Sequence, residues 1–340
     1  MVFRSDKNWL GGDGASSVDL GKGRVLWLFG DSFVASRPGA GRKDAAVVRN
    51  SLGIQQGYDP SLAAVRFYWG ARPGGAPTAF FSNSGKEWLW PGDGERLGSG
   101  LIVFFMKIRE AANALGFEAR GWTAALIENP DAAPEKWRIR FLETPDNPFN
   151  ILVGSGSVLL KDGFLYAFGA AESEEHEVYL ARWPAERAGR GDLSDPEWWS
   201  GPEKGWVLQE GLIGRPRPVF SPSQNEFTVH WDQAAGKYFQ IQTWGFGPSP
   251  LGRRVANSLT GPWSTPELFF TPREAGRSPQ RLVYAGKAHP ELRGADLVVT
   301  YLVNSLNFNE LLTDQDIYFP KFLRVRFDNG ATEGKTDRND

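Results

Sequence analysis

Cysteine does not occur in the 340 residues, which excludes disulfides and thiolate metal sites and fits either an exported or a cytosolic protein. Histidine is scarce. His176, His230 and His289 are too few for a His-rich zinc site. No run of basic residues is present and the formal net charge is -2, which argues against nucleic acid as the main partner. Long apolar runs are missing as well. The densest, LIVFFMKI from Leu101, is interrupted by Lys107 and is too short to cross a bilayer. The opening MVFRSDKNWLGGDG lacks a basic start followed by an apolar stretch, so no signal peptide is expected. A chain trimmed of its export signal would read the same, and location is left open.

What is abundant is punctuation. Forty Gly and 23 Pro divide the chain into many short elements rather than a few long helices, which favours an all-β protein. The 14 Trp, 8 Tyr and 23 Phe supply core filling, and Trp also offers a platform for the apolar face of a sugar ring.

The chain is organised around GRVLWLFGDSFV (residues 23–34), preceded by GGDGASSVDL (residues 11–20). Two apolar runs, Ala15 to Leu20 and Val25 to Phe29, flank Gly21-Lys22-Gly23 and read as a β-hairpin. Asp13 lies just before the first run and Asp31 just after the second, so antiparallel pairing brings both carboxylates to one end. Paired acids beside pliable Gly-rich backbone suit acid/base chemistry on a sugar. An Asp next to Gly also caps turns.

The same plan, an apolar strand, a Gly or Asp turn and further strands, recurs five times. The first unit ends with Val47 to Gln55 and Ala64 to Trp69. The second holds Gly100 to Ile108, Gly121 to Ile127 and Trp137 to Leu142, and Lys107 to Leu115 is expected to make a short helical turn. The third is the hairpin GSGSVLLKDGFLYAFGAA (residues 154–171) with Glu177 to Trp183. The fourth starts at Asn225 and continues through ANSLTGPWSTPELFF, and the fifth starts at Leu282 and ends with Lys321 to Phe327. A spacing of about 65 residues and roughly four strands per unit imply a five-bladed β-propeller spanning residues 1–328. The polar tail, 329–340, is expected to be disordered.

ANSLTGPW (residues 256–263) ends a strand as many propeller glycosidases end theirs. With the repeat count and the GDG and FGDSF corners, the chain resembles the arabinanase-like clan of five-bladed propeller glycosidases, which includes glycoside hydrolase family 43. DGASSVDL, LWLFGDSFV and RNSLGIQ are more closely similar to the bacterial domain-of-unknown-function families numbered 4185 and 5005, parts of which are linked to D-arabinan cleavage. The resemblance covers residues 9–327, with the first 60 or so the most distinctive. It implies the propeller fold and a polysaccharide or oligosaccharide substrate with arabinofuranoside-type linkages. One propeller hosts many chemistries, so roles must come from the site.

First strands of propeller blades line the channel, so residues at their starts converge. Those positions hold Asp13 and Asp31, Asp93 in WPGDGE, Ser155, Glu226 and His289. Glu226 is taken as the proton donor: in NEFTVHWD, alternation sets Glu226, Thr228 and His230 on one face, and enclosure by Phe and Trp raises a carboxyl pKa. Asp31 is then the nucleophile or base and Asp13 its partner, with the reverse assignment open. The family 43 pattern draws its acids from three successive blades, whereas here two share one hairpin, so roles do not transfer directly. His289 could hydrogen-bond a sugar hydroxyl or hold a metal, and the resemblance implies a His in the channel; Lys287 could meet an anionic group. Arg49 and Asn50 offer donors to hydroxyls, and of Tyr301 and Asn304, on opposite faces, at most one meets the channel. Glu226 could equally be a surface salt-bridge partner and His289 a satisfied core histidine.

Walker and dinucleotide fingerprints are lacking, and Ser155 and Ser157 are not on a nucleophile elbow. FSNSGKEW (residues 81–88) is a degenerate sialidase-type Asp-box with Asn83 in place of Asp. No cofactor is implied; a calcium ion on the channel axis is an option that no EF-hand spacing marks. Loops 35–46, 71–97 and 306–320 are expected to shape a cleft. The expectation is a glycosidase working on carbohydrate through paired carboxylates. The competing one is a non-catalytic carbohydrate-binding or protein-docking propeller, and carboxylates gathered in one pocket separate the two.

Overall fold

The computed structural model describes residues 2–82, 86–113, 115–292, 294, 296–328 and 331–335. Among them the strands form five antiparallel sheets of four or five strands, the blades of a five-bladed β-propeller, and one two-stranded ribbon. The first sheet comprises β1 (Trp9–Gly21), β2 (Arg24–Ala35), β3 (Ala45–Val48), β4 (Ser51–Gln56) and β5 (Ala64–Tyr68). The ribbon is β6 (Gly70–Ala71) with β7 (Pro77–Thr78). The second sheet holds β8 (Trp88–Leu97), β9 (Gly100–Glu110), β10 (Phe117–Ile127) and β11 (Ile139–Phe141). The third runs β12 (Ile151–Lys161), β13 (Phe164–Ala171), β14 (Val178–Pro184), β15 (Glu197–Trp199) and β16 (Trp206–Leu208), with helix α1 (Ala185–Gly189) after β14. The fourth is β17 (Thr228–Asp232), β18 (Lys237–Thr243), β19 (Leu251–Ala256) and β20 (Glu267–Phe270). The fifth is β21 (Arg281–His289), β22 (Leu297–Ser305), β23 (Lys321–Asp328) and β24 (Ala331–Lys335), with helix α2 (Phe308–Thr313) after β22.

The chain divides into two compact units. Residues 1–82, 226–254 and 265–340 make one, and residues 83–225 with 255–264 make the other. In the first unit an aromatic cluster joins the first and fifth sheets. Trp9 stacks on Phe67 at 4.2 Å, Phe3 meets Trp27 edge-on at 4.9 Å, and Phe319 and Val298 complete the cluster. In this cluster Trp9 donates its indole N–H to Ser51 Oγ and Trp27 donates its own to Gln55 Oε1, both at 3.0 Å. Full burial of side chains this large stabilises by roughly 1.5–3 kcal/mol apiece. In the second unit Phe104, Trp122 and Trp183 form the corresponding aromatic core.

Several elements depart from the sequence expectation. β1 and β2 are longer than the apolar runs, so Asp13 and Asp31 lie inside strands rather than beyond their ends. Gly-rich backbone lets the ladder continue through irregularities there. The third strand of the first unit is two strands, β3 and β4, each pairing with a different half of β2 and separated by Arg49-Asn50. The second sheet begins with β8, whose Pro and Gly read as a turn but sit at a register shift between Pro91 and Gly94. Lys107 to Glu110 is strand, not helix: β9 is paired on both sides, and its Arg109 forms a cross-strand ion pair with Glu118 at 2.6 Å. Of the tail expected to be disordered, Ala331–Lys335 is paired with β23, and residues 329–330 and 336–340 lie outside the described residues. Asn83 of the degenerate Asp-box also lies outside them.

Candidate functional site: three carboxyls and two phenols

All the residues of this site belong to the first unit. β1 and β2 carry opposed irregularities between the pairs Gly12↔Ser32, Gly14↔Phe29 and Ser16↔Leu28. This stretch holds Asp13 on one strand and Asp31 on the other, with Gly14 and Ala15 at positive φ. Glu226 precedes β17 rather than starting it. Thr228 Oγ1 ties that strand to β21 by accepting from the Ala288 N–H at 2.9 Å. Glu226 Oε1 lies 3.7 Å from where a Cβ on Gly14 would stand, so its carboxylate lies beside the Asp13-Gly14 backbone.

Each carboxyl has its own partners. Asp31 Oδ2 accepts from Arg49 Nη1 at 2.9 Å, in a pair whose side chains are 19% and 42% exposed respectively. Glu226 meets Lys287 Nζ at 3.1 Å, and the same ammonium donates to Ser16 Oγ at 2.8 Å. Asp13 receives phenols instead. The Tyr284 hydroxyl donates to its Oδ2 at 2.8 Å and is itself held by Asn304 Nδ2 at 3.1 Å. The Tyr318 hydroxyl lies 3.2 Å from the same Oδ2 and 3.1 Å from the Asp31 carbonyl oxygen.

Burial pushes the Asp13 carboxyl up to about 8, helped by the negative charges of Asp31 and then Glu226 and opposed by the two phenol hydrogen bonds. Asp13 therefore holds a proton at neutral pH. Both phenols are pushed well above the ordinary tyrosine value, chiefly by burial and next by the adjacent Asp13 charge, so they stay protonated donors.

The other residues singled out from the sequence are placed as follows. Lys287 does not offer its ammonium to solvent: its side chain is 1% exposed and its anionic partner is Glu226. His289 is buried, with Nδ1 at 2.5 Å from Ser17 Oγ and Nε2 at 2.7 Å from Thr300 Oγ1, and burial pulls its pKa down to about 3. It is a neutral packing histidine against Trp27. His230 is also buried, edge-on to Phe239, with neither ring nitrogen hydrogen-bonded among the described residues and a pKa lowered by burial to about 4. Asn50 is buried and binds the Phe81 main chain through both its amide groups, at 2.9 and 2.8 Å. Tyr301 is buried against Phe270 and points its hydroxyl to Glu274 at 3.4 Å; Asn304 is the member of that pair that reaches the site. Asp93 belongs to the second unit, where it is buried and accepts from the main-chain N–H groups of Gly94 and Val158, each at 2.8 Å. Ser155, in the same unit, is buried under β13. Among the described residues no group of three or more His, Asp or Glu side chains is arranged to hold a metal ion.

Tyr284, Tyr318 and Ser16 were not picked out from the sequence. An irregularity between Tyr284 and Lys287, with Ala285 at positive φ, inserts one extra residue and breaks the alternation that would have placed Tyr284. Tyr318 comes from the segment after α2, where no period applies. The loop 71–97 contains β7 and β8, whereas 306–320 delivers Tyr318 directly to the carboxyls.

No curated protein matches the chain. Among solved structures, a putative hydrolase from Bacteroides ovatus is similar with a TM-score of 0.74 and 17% identity, over 95% of this chain and 87% of that one. An alpha-L-arabinofuranosidase from Lactobacillus brevis is similar with a TM-score of 0.54 and 15% identity, over 96% and 94%. An exo-beta-1,3-galactanase from Phanerochaete chrysosporium has a TM-score of 0.54 and 14% identity over 96% of this chain, which spans 63% of the galactanase. At these identities the likeness is one of fold. A family model matches residues 1–329, nearly the whole chain, and the protein belongs to that family, described as Domain of unknown function (DUF5005).

Proposed function

We propose that the protein is a glycoside hydrolase that cleaves an oligosaccharide or polysaccharide at an arabinofuranoside-type linkage, using Asp13 and Asp31 with Glu226 beside them. The observation that carries this reading is the setting of Asp13: it lies in the same irregular stretch of the hairpin as Asp31, beside the Glu226 carboxylate and under two phenols, and burial with those two negative charges pushes its carboxyl up to about 8. Glycoside hydrolysis needs one protonated and one ionised carboxyl about a scissile bond. Asp13 is the donor, passing its proton to the leaving oxygen as the bond to the anomeric carbon breaks. Asp31, paired with Arg49, attacks that carbon or takes a proton from the attacking water. Glu226, matched by Lys287, supplies the second negative charge that keeps the proton on Asp13. This moves the donor role from Glu226, where the sequence put it, to Asp13. The furanoside preference rests on the resemblance of DGASSVDL, LWLFGDSFV and RNSLGIQ to families linked to D-arabinan cleavage, and the fold shared with the Lactobacillus brevis arabinofuranosidase accords with it.

The test is release of reducing ends from arabinans and arabinogalactans and of phenols from aryl glycosides, with wild type beside Asp13→Asn and Asp31→Asn. Loss of general acid catalysis lowers the rate by about 10²–10⁴-fold. Asp13→Asn should show that loss on polysaccharides and a smaller one on aryl glycosides whose leaving group needs no proton. Asp31→Asn should lose rate on both. A wild type that cleaves nothing while all three proteins bind one glycan equally replaces this reading with a carbohydrate-binding module.

A further inference from the structure

We propose that Arg42 is a positioning residue for Asp13, acting through Tyr318: its guanidinium locks the segment 311–318 onto β1 so that the Tyr318 phenol stays on the Asp13 carboxyl. The proposal rests on the reading of Asp13 as a reacting group and identifies what holds it in place.

Arg42 is buried and spends its donors on main-chain carbonyls. Nε donates to Leu10 at 2.8 Å, Nη1 to Leu311 and Asp314 at 2.9 Å each, and Nη2 to Ile317 at 2.7 Å. One planar fork thus spans the start of β1 and three carbonyls around the turn that follows α2. Its faces are covered by Phe319 at 5.1 Å and Phe33 at 5.7 Å. The last bonded carbonyl, Ile317, immediately precedes Tyr318. Tyr318 is anchored in turn by its N–H on Val303 O at 2.8 Å and its carbonyl on the Gly12 N–H at 3.0 Å, at a positive φ of 62°. Arg42 bonds to none of the three carboxyl side chains of the site. Its reach to Asp13 is through the backbone that carries the phenol.

A lysine cannot reproduce this clamp, because its three donors leave one point and cannot span carbonyls on both sides of the turn. The charged and titratable groups around Asp13 are Asp31 from β2, Glu226 before β17, Tyr284 from β21 and Tyr318; those around Arg42 are Arg4, Tyr318 and Asp314. Of these, the Tyr318 hydrogen bond lowers the Asp13 value, so loosening it raises that value.

The experiment follows the Asp13 carboxyl by ¹³C NMR in protein labelled at aspartate Cγ, with the resonance assigned by its loss in Asp13→Asn. Wild type should titrate at about 8. Tyr318→Phe should move the midpoint up by about 1–2 pH units, the worth of one hydrogen bond to a carboxylate. Arg42→Lys should move it the same way, and the double variant should titrate like Tyr318→Phe alone. If Arg42→Lys does not fold, Arg42→Gln carries the same comparison. Arg42→Lys with a lowered Tm but a wild-type midpoint assigns Arg42 to stability alone and overturns the proposal. So do shifts that add in the double variant, or an unmoved midpoint in Tyr318→Phe. The titration needs no turnover, so it decides the matter even if no glycan is cleaved and the hydrolase reading fails separately.

Discussion

Lys287 Nζ stands 3.1 Å from Glu226 Oε1, with the lysine side chain 1% exposed and the glutamate 23% exposed. The two ends of this ion pair are therefore unequal in what they lose when parted. Glu226→Ala strands an ammonium with Ser16 Oγ as its remaining partner among the described residues, and a buried unpaired charge costs about 3–5 kcal/mol. Lys287→Met leaves a carboxylate that water still reaches, and the loss should be about 1–3 kcal/mol, in the range of one charged hydrogen bond. Denaturant unfolding of the two variants checks this order. Equal losses would place Lys287 in contact with solvent.

Asp13 makes stability depend on pH in a stated direction. Its folded value of about 8 lies above the ordinary 3.8, so between those values the folded protein keeps a proton that the unfolded chain has released. Stability from this group is complete below about pH 4 and is lost as pH rises to about 8. Asp13→Asn removes the dependence. The variant should be more stable than wild type at pH 8, with the gap closing towards pH 4. Thermal melts across that range test it; a pH-independent difference would mean that Asp13 ionises normally.

His289 and His230 act with the opposite sign. Their folded values, about 3 and about 4, lie below the ordinary 6.5, so the unfolded chain takes up protons that the folded one refuses as pH falls from about 6.5. Stability should decline over that acid window, and His289→Gln or His230→Leu should each flatten the decline. At pH 7, His230→Leu should also be neutral or stabilising by about 1 kcal/mol, because it removes ring nitrogens without hydrogen-bond partners from the interior. Unfolding free energies at pH 5 and 7 give both quantities.

Gly11 allows the closest backbone approach at the site. A Cβ there would lie 2.3 Å from the Tyr318 carbonyl oxygen, at a φ of 126° that side chains rarely adopt. Gly11→Ala must push the 318 segment away from β1. The expected result is a destabilisation of about 2 kcal/mol or more, with an upward shift of the Asp13 titration, measured on the same NMR resonance.

How much of this was legible depended on how local it was. The hairpin that brings Asp13 and Asp31 together is encoded within residues 11–34, and Arg49 follows closely enough to be found with it. Five repeating units were readable because each hairpin announces itself by Gly and Asp turns. The phenols were not, since Tyr284 sits where an inserted residue breaks alternation and Tyr318 where no period exists. His230, His289, Asp93 and Tyr301 mark the other limit: a polar residue on a strand looks the same whether it meets a ligand or is buried between sheets. Here the histidines are packed neutral, Asp93 accepts main-chain N–H groups and Tyr301 lies in the core. Lys287 was expected to meet an anionic group of a ligand, whereas the anion it pairs with is Glu226 of the protein itself.

The contacts between Asp13 and its phenols have a consequence for the order in which the molecule comes into being. Tyr318 follows Asp13 by 305 residues, and synthesis at about 5–20 residues per second separates their emergence by about 15–60 s. For most of that interval the N-terminal hairpin exists without Tyr284 and Lys287, and for all of it without Tyr318. Asp13 then lacks the phenols that hold its carboxyl, while Arg49, the partner of Asp31, emerges only 18 residues after it. The buried setting that pushes the Asp13 carboxyl up to about 8 is thus completed late, once Tyr284 and then Tyr318 have arrived.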